Sequence, residues 1–387
     1  MSQSSLMLEQ IIRDRITHSA NNKIPFVEFM DLVLYHPEWG YYSGGKVEIG
    51  SRGDFFTSVS LGADFGELLA IQLVQMWQVL GQPQPFILLE MGAGNGDLAR
   101  DILQTLEAQF PAVFAALEYW IVEQSPALIQ RQKAVLADYT VQWQDESEIE
   151  DESLTGCIFA NELVDAFPVH QVRVEDEGLK EVYVTYSEAG LIEVTGELST
   201  PQLANYFRDM AINLTQEDYV KPYQTEVNLA ALSWLKTVAS KLKKGYLMTI
   251  DYGYSAQRYY NPRRDRGTLQ CYYQHRRHNN PYINLGQQDI TTHVNFTALQ
   301  YYGQQYGLTT LGQTKQGMFL MALGLGEKLN ALSRGEFDAA QILHRRDALH
   351  QLIDPTGLGG FEVLIQAQGL RDAETSQPLK GLFLPEF

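Results

Sequence analysis

Apolar residues recur along the chain in two rhythms, and the change from one to the other outlines a fold. Leu6, Leu8, Ile11, Ile12 and Ile16 return at helical spacing and predict an amphipathic helix over residues 6–18. A second helix is expected over Phe26 to Leu34, ending near His36-Pro37 because the residue before proline disfavours the α region. A third is expected over Phe65 to Leu80. Continuous apolar runs then take over at Phe86 to Leu89, Trp120 to Val122, Val141 to Trp143, Cys157 to Ala160 and Gly245 to Ile250. Such runs read as strands buried on both faces, as in a parallel sheet. The stretch Gln109 to Tyr119 reads as a helix end and loop. Residues 170–195 alternate polar and apolar, with turns at Glu177-Gly178 and Ala189-Gly190, and predict an antiparallel meander inserted after the fourth strand. Helices are expected over Pro201 to Leu214, Glu226 to Lys241 and residues 327–353. Leu308 to Thr314 and Met318 to Leu325 are expected to close the sheet as an antiparallel pair, and Leu358 to Ile365 is left unassigned.

The result is an α/β chain with a Rossmann-like sheet, a helical N-terminal region, and an inserted β-meander with helices. We divide it into residues 1–80, a core over 81–325 with an insertion at about 170–244, and a partly helical extension over 326–387.

Chemistry enters at the first strand. Phe86 to Leu89 runs directly into Glu90-Met91-Gly92-Ala93-Gly94-Asn95-Gly96, and then into Leu98, Ile102 and Leu106 at helical spacing. Strand, glycine turn and helix place backbone N–H groups and a helix N-terminus beside a nucleotide-like ligand. A dinucleotide fingerprint would need its third glycine at position 97, where Asp97 stands. An acid precedes the turn, and Glu90 would repel a pyrophosphate but suit a cation. S-adenosylmethionine carries a sulfonium and an ammonium and no phosphate, so the pattern favours it over a nicotinamide dinucleotide. The second strand ends in Glu123, where nucleoside-binding α/β folds keep an acid for the ribose hydroxyls. The 29 residues from Gly94 to Glu123 exceed the usual spacing of about 20. A bare tight turn and a solvated strand end remain the structural alternatives at these two places.

Composition narrows the partners. With 47 acidic against 29 basic residues the net charge is −18, which argues against a general nucleic-acid binder and suits a basic protein or peptide. Cys157 and Cys271 stand far apart and indicate neither a disulfide framework nor a zinc site. The N-terminus lacks the basic start and apolar core of a signal peptide, Glu9 and Asp14 speak against a transit peptide, and no apolar run reaches membrane-spanning length. A cytoplasmic location is therefore expected.

Three further stretches are candidates for a site. Gly53-Asp54-Phe55-Phe56-Thr57-Ser58 reads either as a pocket loop or as a turn capping the next helix. Asn161-Glu162-Leu163-Val164-Asp165-Ala166-Phe167-Pro168 follows the fourth strand, where open α/β sheets place their ligands. One helical turn would set Glu162 and Asp165 on the same side. The alternative is a capped turn before Pro168. Residues 252–282 interleave seven tyrosines with six arginines. Stacking on nucleobases is disfavoured in so acidic a chain, no nucleic-acid partner is expected, and a partly ordered substrate loop is the reading adopted. His275 and His278 have no third ligand nearby, so no metal is expected.

Taken in order, these stretches resemble the MidA-type class I methyltransferases, related to the mitochondrial complex I assembly arginine methyltransferase. The resemblance is carried by Gly40-Tyr41-Tyr42, Gly53 to Ser58, Phe65-Gly66-Glu67-Leu68, Glu90 to Gly96, Val122-Glu123-Gln124-Ser125-Pro126, Ala160 to His170, Asp251-Tyr252-Gly253, Arg266-Gly267-Thr268 and Gln288 to Phe296. It covers roughly residues 25–325. It implies an S-adenosylmethionine-dependent methyltransferase acting on arginine of a protein substrate, a subunit of a respiratory-type complex being the first candidate. Under it Glu90, Gly92, Ala93, Gly94, Gly96, Glu123, Gln124 and Asn161 would bind the cofactor, with Asp54 and Thr57 at the pocket wall. Glu162 and Asp165 would orient the guanidinium through charge-assisted hydrogen bonds. A non-catalytic cofactor-binding assembly factor and a small-molecule methyltransferase remain open, and a nicotinamide-dependent oxidoreductase is disfavoured by Asp97. Oligomeric state is not legible.

Overall fold

The computed structural model describes residues 3–44, 57–332 and 339–383. Its core is a seven-stranded sheet. Phe86–Met91 pairs in parallel with Leu117–Val122 on one side and Leu154–Asn161 on the other. Val141–Gln144 extends one edge beyond Leu117–Val122, and Leu242–Asp251 lies beyond Leu154–Asn161. The far edge is antiparallel: Glu362–Gln368 pairs with Leu242–Asp251 and with the outermost strand Thr309–Lys315. Strand order reverses between Phe86–Met91 and Leu154–Asn161, and a crevice opens at the carboxyl ends of strands at such a switch.

Period-two alternation distributes the core. Leu88, Phe159, Met248 and Ile365 bury one face against helices Asp64–Val79, Asp97–Gln109 and Gln316–Leu323. Leu89, Ile158, Leu247 and Leu364 bury the other against helices Leu229–Lys241 and Phe296–Gln305. Among the described residues no helix is long and apolar enough to cross a membrane.

The expected meander forms as His170–Glu175, Gly178–Ser187 and Gly190–Gly196, joined by Tyr223–Val227 and by the short N-terminal strand Ile24–Pro25. The N-terminal helices Gln3–Thr17 and Phe26–Tyr35 thus dock on the insertion.

Several expectations need correction. The outer antiparallel pair is not Leu308 to Thr314 with Met318 to Leu325, because Gln316–Leu323 is a helix and the partner strand is Glu362–Gln368. A short unbroken apolar run fits a buried helix and a buried strand equally, and pattern alone does not separate them. The unassigned tail therefore supplies a strand inside the sheet. Gln109 to Tyr119 is a second short helix, Pro111–Ala116, followed by the early start of the strand at Leu117. The helix expected from Glu226 begins only at Leu229, capped by Asn228, whose Oδ1 accepts the Ala231 N–H at 2.8 Å. Residues 252–282 are more ordered than expected. They hold a helical turn, Ala256–Tyr259, and the hairpin Gln270–Tyr273 and Arg276–His278, which pairs onward with Asp289–Thr291.

Candidate functional site

The glycine turn sits at the switch point as the sequence predicts. Gly92, Gly94 and Gly96 take φ of 71°, 54° and 90°, in the left-handed region that costs a side chain 1–2 kcal/mol or so. A Cβ on Gly92 would lie 2.8 Å from Leu163, and one on Gly96 would lie 3.3 Å from the Gln132 backbone. Glycine is what lets the turn lie close under the crevice floor. Helix Asp97–Gln109 follows at once, its N-terminus facing the crevice.

Glu90, Gly92, Ala93, Gly94, Glu123, Asn161, Glu162 and Thr57 of the expected residues all line this crevice. Gly96 lies buried beneath it as the helix cap, Gln124 is exposed beside Glu123, and Asp165 is buried behind Glu162. Asp54 lies outside the described residues. Thr57 lines the crevice and begins a reciprocal capping box with Ser60, but the turn it caps is the short Ser58–Leu61; the expected cap on the next helix does not form, since Asp64–Val79 starts from Ala63 with no side-chain cap.

Electrostatics here are dominated by carboxyl groups away from water. The Glu90 Oε2 accepts the Tyr119 hydroxyl at 2.7 Å, and burial pushes the Glu90 carboxyl up to about 7. Glu123 is raised by burial against the N–H of Ser125 at 2.9 Å and the amide of Gln132 at 3.2 Å. Glu162 is raised to about 8, by burial first and by the neighbouring Asp165 second. Its Oε1 accepts weakly from the Ser58 N–H at 3.3 Å and from Asn161 Nδ2 at 3.4 Å. Asp165 is pushed by burial to about 6, while the Tyr252 hydroxyl opposes that rise. Asp251, fully buried, is raised well above the carboxylate range by burial and by Asp165 and Glu162. Carboxyl groups so crowded favour a cationic ligand, whose charge would let them ionise.

Sequence reasoning missed the residues that hold this arrangement. The buried Gln132 donates to the Gly94 carbonyl at 2.9 Å and to Glu123, and accepts from the Trp143 indole at 2.9 Å. Asp251 Oδ2 accepts the N–H groups of Val164 at 3.0 Å and Asp165 at 3.2 Å, which fixes the turn carrying Glu162. The acid at the end of the fifth strand was visible in the sequence, but its partner was not. Tyr35 and Tyr42 also line the crevice, stacked at 5.5 Å. Tyr42 donates to Asp289 at 2.9 Å and Tyr35 to the Ala166 carbonyl at 2.9 Å. The Gly40-Tyr41-Tyr42 stretch was the available signal.

A second cleft of about 960 Å³ lies beside the crevice, walled by Tyr252, Tyr254, Arg258, Arg264, Arg277 and His293, among others. Glu162 lines both.

A switch-point crevice with a glycine turn, an acid after the second strand and one reversed strand, Glu362–Gln368, set just inside the far edge of the sheet defines a class I, nucleoside-cofactor methyltransferase. An S-adenosylmethionine fits on this structure's own terms. The crevice has acceptors for a cation and for ribose hydroxyls, and the buried Asn161 Oδ1 has no hydrogen-bond partner. Residues 68–314 match the model of a family described as "Putative S-adenosyl-L-methionine-dependent methyltransferase", and the chain belongs to that family. Its cofactor is S-adenosylmethionine. A Burkholderia thailandensis structure, described as a "likely methyl transferase" bound to S-adenosyl-homocysteine, aligns at 29% identity and a TM-score of 0.82, covering 98% of this chain and 95% of that one. The chain is also similar to the protein arginine methyltransferase NDUFAF7 homolog, mitochondrial, of Drosophila melanogaster (28% identical, 92% of this chain and 85% of the relative). Human NDUFAF7, of the same description, is 25% identical over 93% of this chain and 85% of the relative. These relatives overturn the expected cytoplasmic location, since they are mitochondrial by name. A targeting segment contributes nothing to the packed core, so neither fold nor composition carries that information.

Proposed function

We propose that the protein transfers the methyl group of S-adenosylmethionine to an arginine side chain of a protein substrate, with Glu162 at the point of transfer. The observation that carries this reading is that, among the described residues, Glu162 alone of the charged ones borders both the cofactor crevice and the open cleft. The names of the animal relatives support arginine as the acceptor.

In this reading Glu123 accepts the ribose hydroxyls, while Glu90 and Asn161 meet the cationic amino-acid portion. Gly92, Ala93 and Gly94 supply the close backbone, with Gly96 shaping the turn. Gln124, Thr57 and Asp54 complete the walls. The bound cofactor supplies an electrophilic methyl group on a sulfonium. A guanidinium stays protonated at physiological pH, so its nitrogen must be oriented and polarised before it attacks. Glu162 Oε1 is engaged by Ser58 and Asn161, which leaves Oε2 to accept a guanidinium N–H. Docking the cation lowers the Glu162 affinity for its proton, so the carboxyl ionises as substrate binds. The Asp251 carboxyl, which accepts the N–H groups of Val164 and Asp165, holds the turn that carries Glu162 and Asp165.

The test is transfer from methyl-labelled S-adenosylmethionine into proteins of a hypomethylated extract, followed by hydrolysis. Label in methylarginine is expected, and a subunit of a respiratory-type complex is the first acceptor to examine. Label confined to small molecules points instead to a small-molecule enzyme. Cofactor binding without any transfer points to a non-catalytic assembly factor.

A further inference from the structure

The cleft beyond Glu162 has a charge opposite to that of the chain. Among the described residues that line it, five are lysine or arginine and only Glu162 and Asp354 are acidic, in a protein of net charge −18. Lys315 is paired with Glu362, whereas Arg258, Arg264, Arg266 and Arg277 form no ion pair among the described residues.

Two of these arginines, Arg258 and Arg264, are held in place. The Arg258 and Arg264 guanidinium carbons each lie 4.5 Å from the centre of the Tyr254 ring. Arg264 Nη1 also donates to the carbonyls of Arg258 at 2.6 Å and Tyr259 at 3.0 Å. Tyr254 stacks in turn on His293, 4.7 Å between centroids. The His293 imidazole registers the resulting field: burial, then Arg264, Arg277 and Arg258, hold it down to about 4. Like charges fixed together without counter-ions raise the local potential, and an anionic occupant relieves it.

We propose that this cleft receives an acidic segment of the substrate, so that the methylated arginine is one flanked by aspartate or glutamate. The inference rests on the arginine-methyltransferase reading and adds the sequence context of the target. The accepting guanidinium would reach Glu162, where the cleft meets the cofactor crevice, while flanking carboxylates would pair with Arg258, Arg264, Arg266 and Arg277. Bidentate guanidinium–carboxylate pairing makes arginine suited to this contact.

The test uses labelled twelve-residue peptides with one central arginine flanked by aspartate, serine or lysine, titrated by fluorescence anisotropy against the full chain saturated with S-adenosylhomocysteine. The aspartate-flanked peptide is expected to bind at least tenfold more tightly than the lysine-flanked one, with the difference shrinking between 50 and 200 mM salt, as screening requires. The double variant Arg258→Gln/Arg277→Gln should cut that preference at least fivefold while S-adenosylhomocysteine still binds. Equal binding of the peptides, or tighter binding of the lysine-flanked one, overturns the proposal. So does displacement of the acidic peptide by single-stranded oligonucleotide at lower concentration than by unlabelled peptide. Parallel mass spectrometry with S-adenosylmethionine separates the two readings. Acidic preference in binding with no arginine methylated supports the anion-accepting cleft and removes the arginine reading.

Discussion

Replacing Glu162 by glutamine separates what this carboxyl does for stability from what it does for chemistry. Its ordinary value near 4.5 is raised to about 8 in the fold. The native state therefore holds this proton more tightly than the unfolded chain does. The stability associated with it is fully present below about 4.5 and is lost as pH rises through about 8. At 1.36 kcal/mol per unit, the full shift would amount to almost 5 kcal/mol, roughly, above pH 8. Glu162 borders two open cavities, so water screens it, and we expect about 1–2 kcal/mol in practice. Glu162→Gln should then be indistinguishable from wild type in thermal stability at pH 5 and more stable at pH 8.5, by a melting shift of about 1–3 °C for a chain of this size. Methyl transfer should fall by about a hundredfold or more, since glutamine cannot hold a guanidinium with a charge. The assay is differential scanning fluorimetry from pH 5 to 9 alongside kcat with a verified substrate. A variant with wild-type turnover and an unshifted melting curve at pH 8.5 would refute both the burial argument and the catalytic role.

Other substitutions probe the supports of the site. Glu123→Ala should weaken S-adenosylhomocysteine by about 10–100-fold in calorimetry, the value of one charge-assisted contact, and unchanged affinity would remove its ribose assignment. Gln132→Leu strands the Gly94 carbonyl, Glu123 and the Trp143 indole without their partner. It should cost about 2–4 kcal/mol and lower cofactor affinity together, read by melting and calorimetry on one preparation. Asp251→Ala releases the N–H groups of Val164 and Asp165. We expect kcat to drop while S-adenosylhomocysteine affinity holds; loss of both equally would mean that Asp251 supports the whole sheet edge rather than the Glu162 turn.

The parts of the site legible in the sequence are those in which one local stretch carries both backbone and chemistry. Glu90 to Gly96 announces itself because positive φ requires glycine at fixed spacing along a buried strand end. Glu123 and Glu162 are legible for the same reason, each following an apolar run that ends at the switch point. Gln132 was not, because a glutamine on a short helix looks solvated until Trp143 and the glycine turn close around it. The cationic cleft was half legible: the tyrosines and arginines of residues 252–282 stood out, but their convergence with Phe361 and Lys315 depends on long-range packing. Gln316–Leu323 was misassigned because its apolar run has no period of its own.

Glu162 stands where the cofactor crevice meets the cleft, and a crystal structure of the protein with S-adenosylhomocysteine tests its role there directly. Ribose hydroxyls are expected on Glu123, with the thioether sulfur turned toward Glu162 and the arginine-lined cleft. A sulfur facing away from Glu162, with no open path to that cleft, would contradict that role.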